Sequence, residues 1–194
     1  MRLKNKIIMI TKIGVVDSNI LSQLMYTLQN YLRDFDILVK ISSEPMNIKS
    51  QDYNSSRDQY NGSSILNRFI NFSKNTGFFR DLGVIDKDIF TDDFNFIFGL
   101  AILPRIKLKI SGVAMISITR LSEEFYHNPA NKRLFYTRVF KEALHELGHT
   151  FGLEHCQNDC VMRFSNTLGE TDVKPPKYCY SCRNHVTNLL SSLS

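Results

Sequence analysis

No cysteine occurs in the first 155 residues of this 194-residue chain, and it has no low-complexity tract, no internal repeat and no run of 18 apolar residues. The missing repeat excludes a solenoid or propeller. The missing apolar run excludes a spanning helix, so no membrane partner is expected. Without cysteines the body of the chain must fold on its apolar core alone, which a chain of this length can do unaided by disulfides. Met1-Arg2-Leu3-Lys4-Asn5-Lys6 leads into only a few apolar residues with no small-residue cleavage site, so no secretory signal is expected. The net charge of +5 comes without helix-turn-helix spacing or basic–aromatic interleaving, and Lys and Arg are scattered among Asp and Glu. That pattern is a solvated, mildly basic surface and predicts no nucleic-acid partner. The expectation is one domain spanning residues 1–194, soluble, cytoplasmic and monomeric.

What is present reads as an ordinary globular composition, 43% hydrophobic and 22% charged. Residues 7–10 and 13–16 are β-prone, and Asp17 or Ser18 can cap a helix with Ile20, Leu21, Leu24, Leu28 and Leu32 on one face. Residues 35–41 suggest a second strand and the polar stretch 42–64 a long loop. Ile65, Leu66, Phe69, Ile70 and Phe72 suggest a helix, stopped at Asn75-Thr76-Gly77. Strands are expected at 78–85, 94–102 and 113–119. A helix from about Asn131 carries Leu134, Phe135, Val139, Ala143 and Leu144, and a short one covers 183–193. Alternating strands and helices argue an α/β layer structure.

The densest chemistry lies at the end of the long helix, in His145-Glu146-Leu147-Gly148-His149-Thr150-Phe151-Gly152-Leu153-Glu154-His155. His145 and His149 stand at i and i+4, so their imidazoles leave one helix face a turn apart and can reach one ion. Gly152 can end the helix in the left-handed conformation and turn the chain so that His155 becomes the third ligand. Three ligands leave a position open for water, and Glu146 beside them suits a general base. A lone H-E-x-x-H also arises by chance; five fixed residues in register do not.

All four cysteines, Cys156, Cys160, Cys179 and Cys182, fall within 27 residues as two close pairs. The spacing fits a closed tetrahedral zinc site, and a chain with no secretory signal has little need of the alternative, two disulfides. Because Cys156 follows His155 directly, a second zinc would staple the loop that carries the third histidine.

Residues 145–155 resemble the metzincin clan of metallopeptidases, with Met162 in the place of the clan's Met-turn methionine. Taken with His155-Cys156, Cys160-Val161-Met162, Phe164-Ser165-Asn166 and Cys179-Tyr180-Ser181-Cys182, the pattern resembles the archaemetzincin family. Weaker likenesses at 58–61, 95–101 and 117–121 extend it over most of the chain. One spacing departs: three residues separate the first two cysteines where the family pattern has four.

The resemblance implies an α/β (α+β) metzincin-like zincin fold. A twisted, mostly parallel mixed sheet with helices would form an N-terminal subdomain (1–152), over a small irregular C-terminal subdomain (153–194), with the cleft between. It implies a zinc metallopeptidase, endo- or aminopeptidase in type, acting on a peptide or protein substrate. Two zinc ions per chain would be held, one catalytic at His145, His149 and His155 with Glu146 as base, one structural at the four cysteines. Residues 113–119 are the segment expected to be the rim strand that pairs with substrate. Phe164 stands where some metzincins carry an oxyanion-assisting tyrosine, and Arg163 reads as a surface charge. Two other readings compete. A zinc-containing binding or regulatory protein of the same fold would not need Glu146, and a basic zinc-stabilised nucleic-acid binder leaves the histidines unexplained.

Overall fold

The computed structural model describes residues 6–74, 77–104 and 112–193. The expectations for Met1 to Asn5 and for the helix stop at Asn75-Thr76 lie outside the described residues. Five strands make the main sheet. They are β1 (Ile7–Ile13), β2 (Leu38–Ile41), β5 (Arg80–Ile85), β7 (Gly99–Ile102) and β8 (Gly112–Ser117), in the order β2-β1-β5-β8-β7. All neighbours are parallel except β7, which runs antiparallel to β8.

Side-chain alternation explains how the sheet fills both faces. On β8, Ala114 and Ile116 join the core shared by α1 (Ser18–Leu32) and α3 (Lys132–Thr150), while Val113 and Met115 face Ile65, Leu66 and Phe69 of α2 (Gly62–Ser73). Strands buried on both faces carry the near-continuous apolar runs seen in the sequence. Asp17 caps α1 through the Asn19 N–H, Asn61 caps α2 through Ser64 and Asn131 caps α3 through Leu134.

Several boundaries differ from expectation. The two β-prone runs at 7–16 are one strand, ended by Gly14 at φ +72°. Residues 33–35 form a 3-10 turn, and Asp36 in the left-handed region delays β2 to Leu38. The polar stretch 42–64 is not only loop. It holds β3 (Tyr53–Asn54) and β4 (Gln59–Asn61), which with β6 (Ile89–Phe90) make a three-stranded sheet, and it contains the start of α2. Polar side chains there pin the segment before β7: Arg57 Nη2 and Gln59 Nε2 both donate to the Asn95 carbonyl, at 3.1 and 2.9 Å. Consequently only Gly99–Ile102 of the expected strand 94–102 is extended in the sheet.

The rim assignment of 113–119 is overturned. Residues 113–117 lie in β8, paired on both sides and buried, Thr119 begins a 3-10 turn, and among the described residues the half-buried β7 ends the sheet on that side. Apolar content could not separate the two, because an edge is a property of pairing rather than of composition.

The C-terminal part carries α4 (Leu168–Val173), which begins with a Thr167/Glu170 capping box, and α5 (Tyr180–Ser192). Tyr178 ties this part to the rest. Its N–H donates to Tyr31 Oη of α1 and its hydroxyl to the Leu144 carbonyl of α3, both at 2.8 Å. Among the described residues no helix is long and apolar enough to cross a membrane.

Candidate metal centre and cleft

The end of α3 is a Schellman turn. Gly152, at φ +84°, donates to the His149 carbonyl at 3.0 Å, and Leu153 to the Gly148 carbonyl at 3.1 Å. This turn does two things for the histidines. It leads the chain back to His155, and it brings the Leu153 carbonyl to 2.8 Å from His149 Nδ1. His145 Nδ1 meets the Val161 carbonyl at 2.9 Å. A carbonyl only accepts, so both Nδ1 atoms carry the proton and both Nε2 atoms keep their lone pairs.

Those two Nε2 atoms lie 3.1 Å apart, and the three histidines bring nitrogens within 4.8 Å of one another. Two neutral imidazole lone pairs facing each other repel unless a cation joins them. Tetrahedral zinc, with Zn–N of about 2.0–2.1 Å, would space its nitrogens by about 3.3 Å, so the donor set fits that ion. Burial pushes the His145 imidazolium well below its usual range, with the Lys174 charge adding to the effect, and His149 and His155 are shifted the same way. All three therefore favour the neutral form that a metal requires.

Glu146 is buried between the histidines and β7. Burial raises its carboxyl well above the ordinary range, and the Glu142 carboxylate one helical turn earlier raises it further. A neighbouring dication would act in the opposite sense. Met162 is fully buried with its sulfur under Gly148, and the Met162 carbonyl accepts from the Cys156 N–H at 3.0 Å. The histidine floor and the cysteine loop are thus joined by backbone.

The four cysteines are free thiols with sulfurs within 4.8 Å of one another, Cys156 and Cys179 being 3.8 Å apart. Zn–S bonds of about 2.3 Å imply a spacing of about 3.8 Å in a tetrahedron, so this quartet also fits zinc. N–H groups of Met162 and Cys179 point at Cys160 Sγ, at 3.5 and 3.2 Å. Burial works against a Cys179 thiolate, but the Cys182 N–H and the Asn158 amide outweigh it and bring the thiol down to about 7. Burial pushes Cys160 and Cys182 upward.

A cleft of about 320 Å³ runs over the histidines and Glu146. Phe164 lines it and packs on His155 with ring centroids 4.8 Å apart, whereas Arg163 is exposed and does not line it. Among the lining residues to which sequence reasoning gave no role are Gly99, Glu142, Ser165 and Lys174. Glu142 had a signal, since it stands at i−4 from Glu146 on the same helix face. Gly99 and Ser165 lie in segments that carry the family resemblance, which gave them no role in the cleft, and Lys174 left no signal.

A sequence model described as peptidase family M54 matches residues 5–188. The chain is 40% identical to the archaemetzincin of Pyrococcus furiosus over 177 residues, covering 90% of this chain and 89% of the relative. It is also similar to two crystal structures. One is the archaemetzincin of Archaeoglobus fulgidus complexed with malonate, at 34% identity, TM-score 0.73 and coverage of 92% and 99% of the two chains. The other is that of Methanopyrus kandleri, at 29% identity, TM-score 0.79 and 96% of each chain.

Proposed function

The chain belongs to peptidase family M54, and we propose that it hydrolyses peptide bonds at zinc held by His145, His149 and His155, with Glu146 as the base. The observation that carries the reading is the pair of imidazole nitrogens 3.1 Å apart, each fixed from behind by a backbone carbonyl, beside a buried carboxyl. When bound, zinc supplies Lewis acidity to the water and to the scissile carbonyl.

The protein's own groups do the rest. Glu146 accepts the proton of the attacking water and returns it to the leaving nitrogen. The edge of β7 that has no strand partner among the described residues offers backbone groups to an extended peptide, which would lie across the cleft as an added strand. The four cysteines would hold a second zinc, making two per chain, and keep His155 in place through Cys156. In this reading residues 1–152 and 153–194 form the two lips of one catalytic domain.

The test is the Glu146→Gln variant. It should retain wild-type zinc content and lose peptide cleavage by roughly 10²- to 10⁴-fold, whereas His149→Ala should lose the ion as well. Undiminished turnover by the glutamine variant would remove the mechanism.

A further inference from the structure

Side chains of α3 clasp the segment around α4. Arg138 pairs with Asp172 at 2.6 Å and with Glu123 at 2.7 Å. Lys141 Nζ donates to the carbonyls of Thr171 and Asp172, at 3.0 and 2.8 Å. Lys174, a little further on, is used differently. It is 1% exposed and lies 2.8 Å from Glu142 Oε1, but off the angle of a hydrogen bond, and that oxygen already accepts from Thr171 Oγ1 at 3.2 Å. The ammonium is thus left without a hydrogen-bond acceptor in line among the described residues. Ser165 Oγ is likewise buried and without a hydrogen-bond partner. Both residues line the cleft that contains Glu146 and the histidines.

A buried donor without a partner costs about 1–3 kcal/mol, and more when it is charged. Ser165 Oγ is such a donor, and the Lys174 ammonium, ion-paired with Glu142, keeps N–H groups to spare, so the ligand that suits the two together is an anionic oxygen. Lys174 is the one cation among the described lining residues. Glu142 does not block this use, because it keeps the Thr171 hydroxyl while the ammonium is shared. Position also fits. Glu142 precedes Glu146 by one turn, about 6 Å along the helix, which is about two residues of extended peptide.

We infer that Lys174 and Ser165 form a carboxylate-recognising subsite, so that the favoured peptide carries an acidic side chain or its own C-terminal carboxylate close to the scissile bond. This rests on the reading of the cleft as a peptidase site.

The probes are uncleavable peptides in which the central bond is a reduced –CH2–NH– link, binding to the zinc-loaded protein being measured by calorimetry. One series scans Asp against Asn and Glu against Gln on either side of that link, with amidated C-termini. A second has neutral side chains and either a free or an amidated C-terminus. At least one carboxylate should bind roughly ten- to hundred-fold more tightly than its amide counterpart. The preference should vanish in the double variant Glu142→Gln/Lys174→Met, which removes the ion pair as a unit, and survive in Lys174→Arg. Should the double variant fail to fold, Ser165→Ala is the second test, and it should reduce the preference severalfold without weakening neutral peptides. Equal binding of every acid–amide pair, or a preference undiminished in these variants, overturns the subsite. Because binding is read without turnover, cleavage by Glu146→Gln would sink the hydrolytic reading separately.

Discussion

Gly99 on β7 and Glu146 on α3 approach so closely that a Cβ built on Gly99 would lie 2.5 Å from Glu146 Cγ and 2.6 Å from its Cδ and Oε1. The rim strand and the carboxyl proposed as base are therefore in register only because one of them lacks a side chain.

Gly99→Ala follows from that contact. The added methyl must push either β7 outward or the Glu146 carboxyl out of its place. A displacement of about 1 Å at a reacting group can lower the rate by about 10²-fold. The histidines are untouched, so zinc content should stay at the wild-type level while kcat falls. Full activity would show that Glu146 can move without consequence, and would weaken its assignment as base.

How much of this was legible in the sequence depends on distance along the chain. The helix carrying His145 and His149, its stop at Gly152 and the return of His155 were readable because they are set by local periodicity and by one glycine at positive φ. The α4 turn was also local, since Thr167 and Glu170 make a capping box, but a six-residue helix has too little periodicity to be noticed. Gly99, Ser165 and Lys174 reach the cleft through strand order and the path of the chain after Met162. Strand pairing also decided the rim, where a buried β8 and an edge β7 of similar composition exchange roles.

Cys179→Ser should release the ion of the cysteine quartet. The Cys156–Cys179 sulfur pair is 3.8 Å apart, and Cys156 is bonded through its N–H to Met162 beneath the histidine floor. Losing one thiolate should remove one zinc per chain and lower Tm by roughly 5–10 °C, with a partial loss of activity through His155. Metal analysis checks it first. A variant with unchanged zinc content would leave the quartet as four free thiols.

The histidines also predict a pH response. Burial holds all three below the ordinary imidazole value of 6.5. In the folded protein they therefore stay neutral as pH falls past 6.5, while those of the unfolded chain take up protons. Their contribution to the stability of the metal-free protein is complete above 6.5 and is lost as pH drops below that value. Glu146 contributes with the opposite sign, because its raised carboxyl favours the folded state at low pH and loses that contribution as pH rises through the raised value. Thermal unfolding of metal-free Glu146→Gln removes that opposing contribution. Its Tm should fall as pH drops below 6.5, and a Tm that rises on acidification there would contradict the shifts.

Arg138 offers the most direct test of how the C-terminal segment is held. Its guanidinium makes two parallel bonds to Asp172, at 2.7 and 2.6 Å, and donates to the Leu121 carbonyl at 3.0 Å. The arginine side chain is 3% exposed, while Asp172 and Glu123 are 31% and 17% exposed. Removing it therefore strands two carboxylates that water can partly reach, and Arg138→Ala should cost about 2–4 kcal/mol, or roughly 5–15 °C in Tm. A lysine at this position cannot reproduce the two-bond fork, so Arg138→Lys should recover little of the loss. Arg138 does not line the cleft, so zinc content should not change. The acid preference assigned to Lys174 should weaken, because the α4 segment leading to that ammonium would no longer be anchored to α3. Calorimetric unfolding and the acid–amide binding pairs, measured on the same variant, separate the two effects. A large fall in Tm with an intact preference would mean that Lys141 alone places the segment.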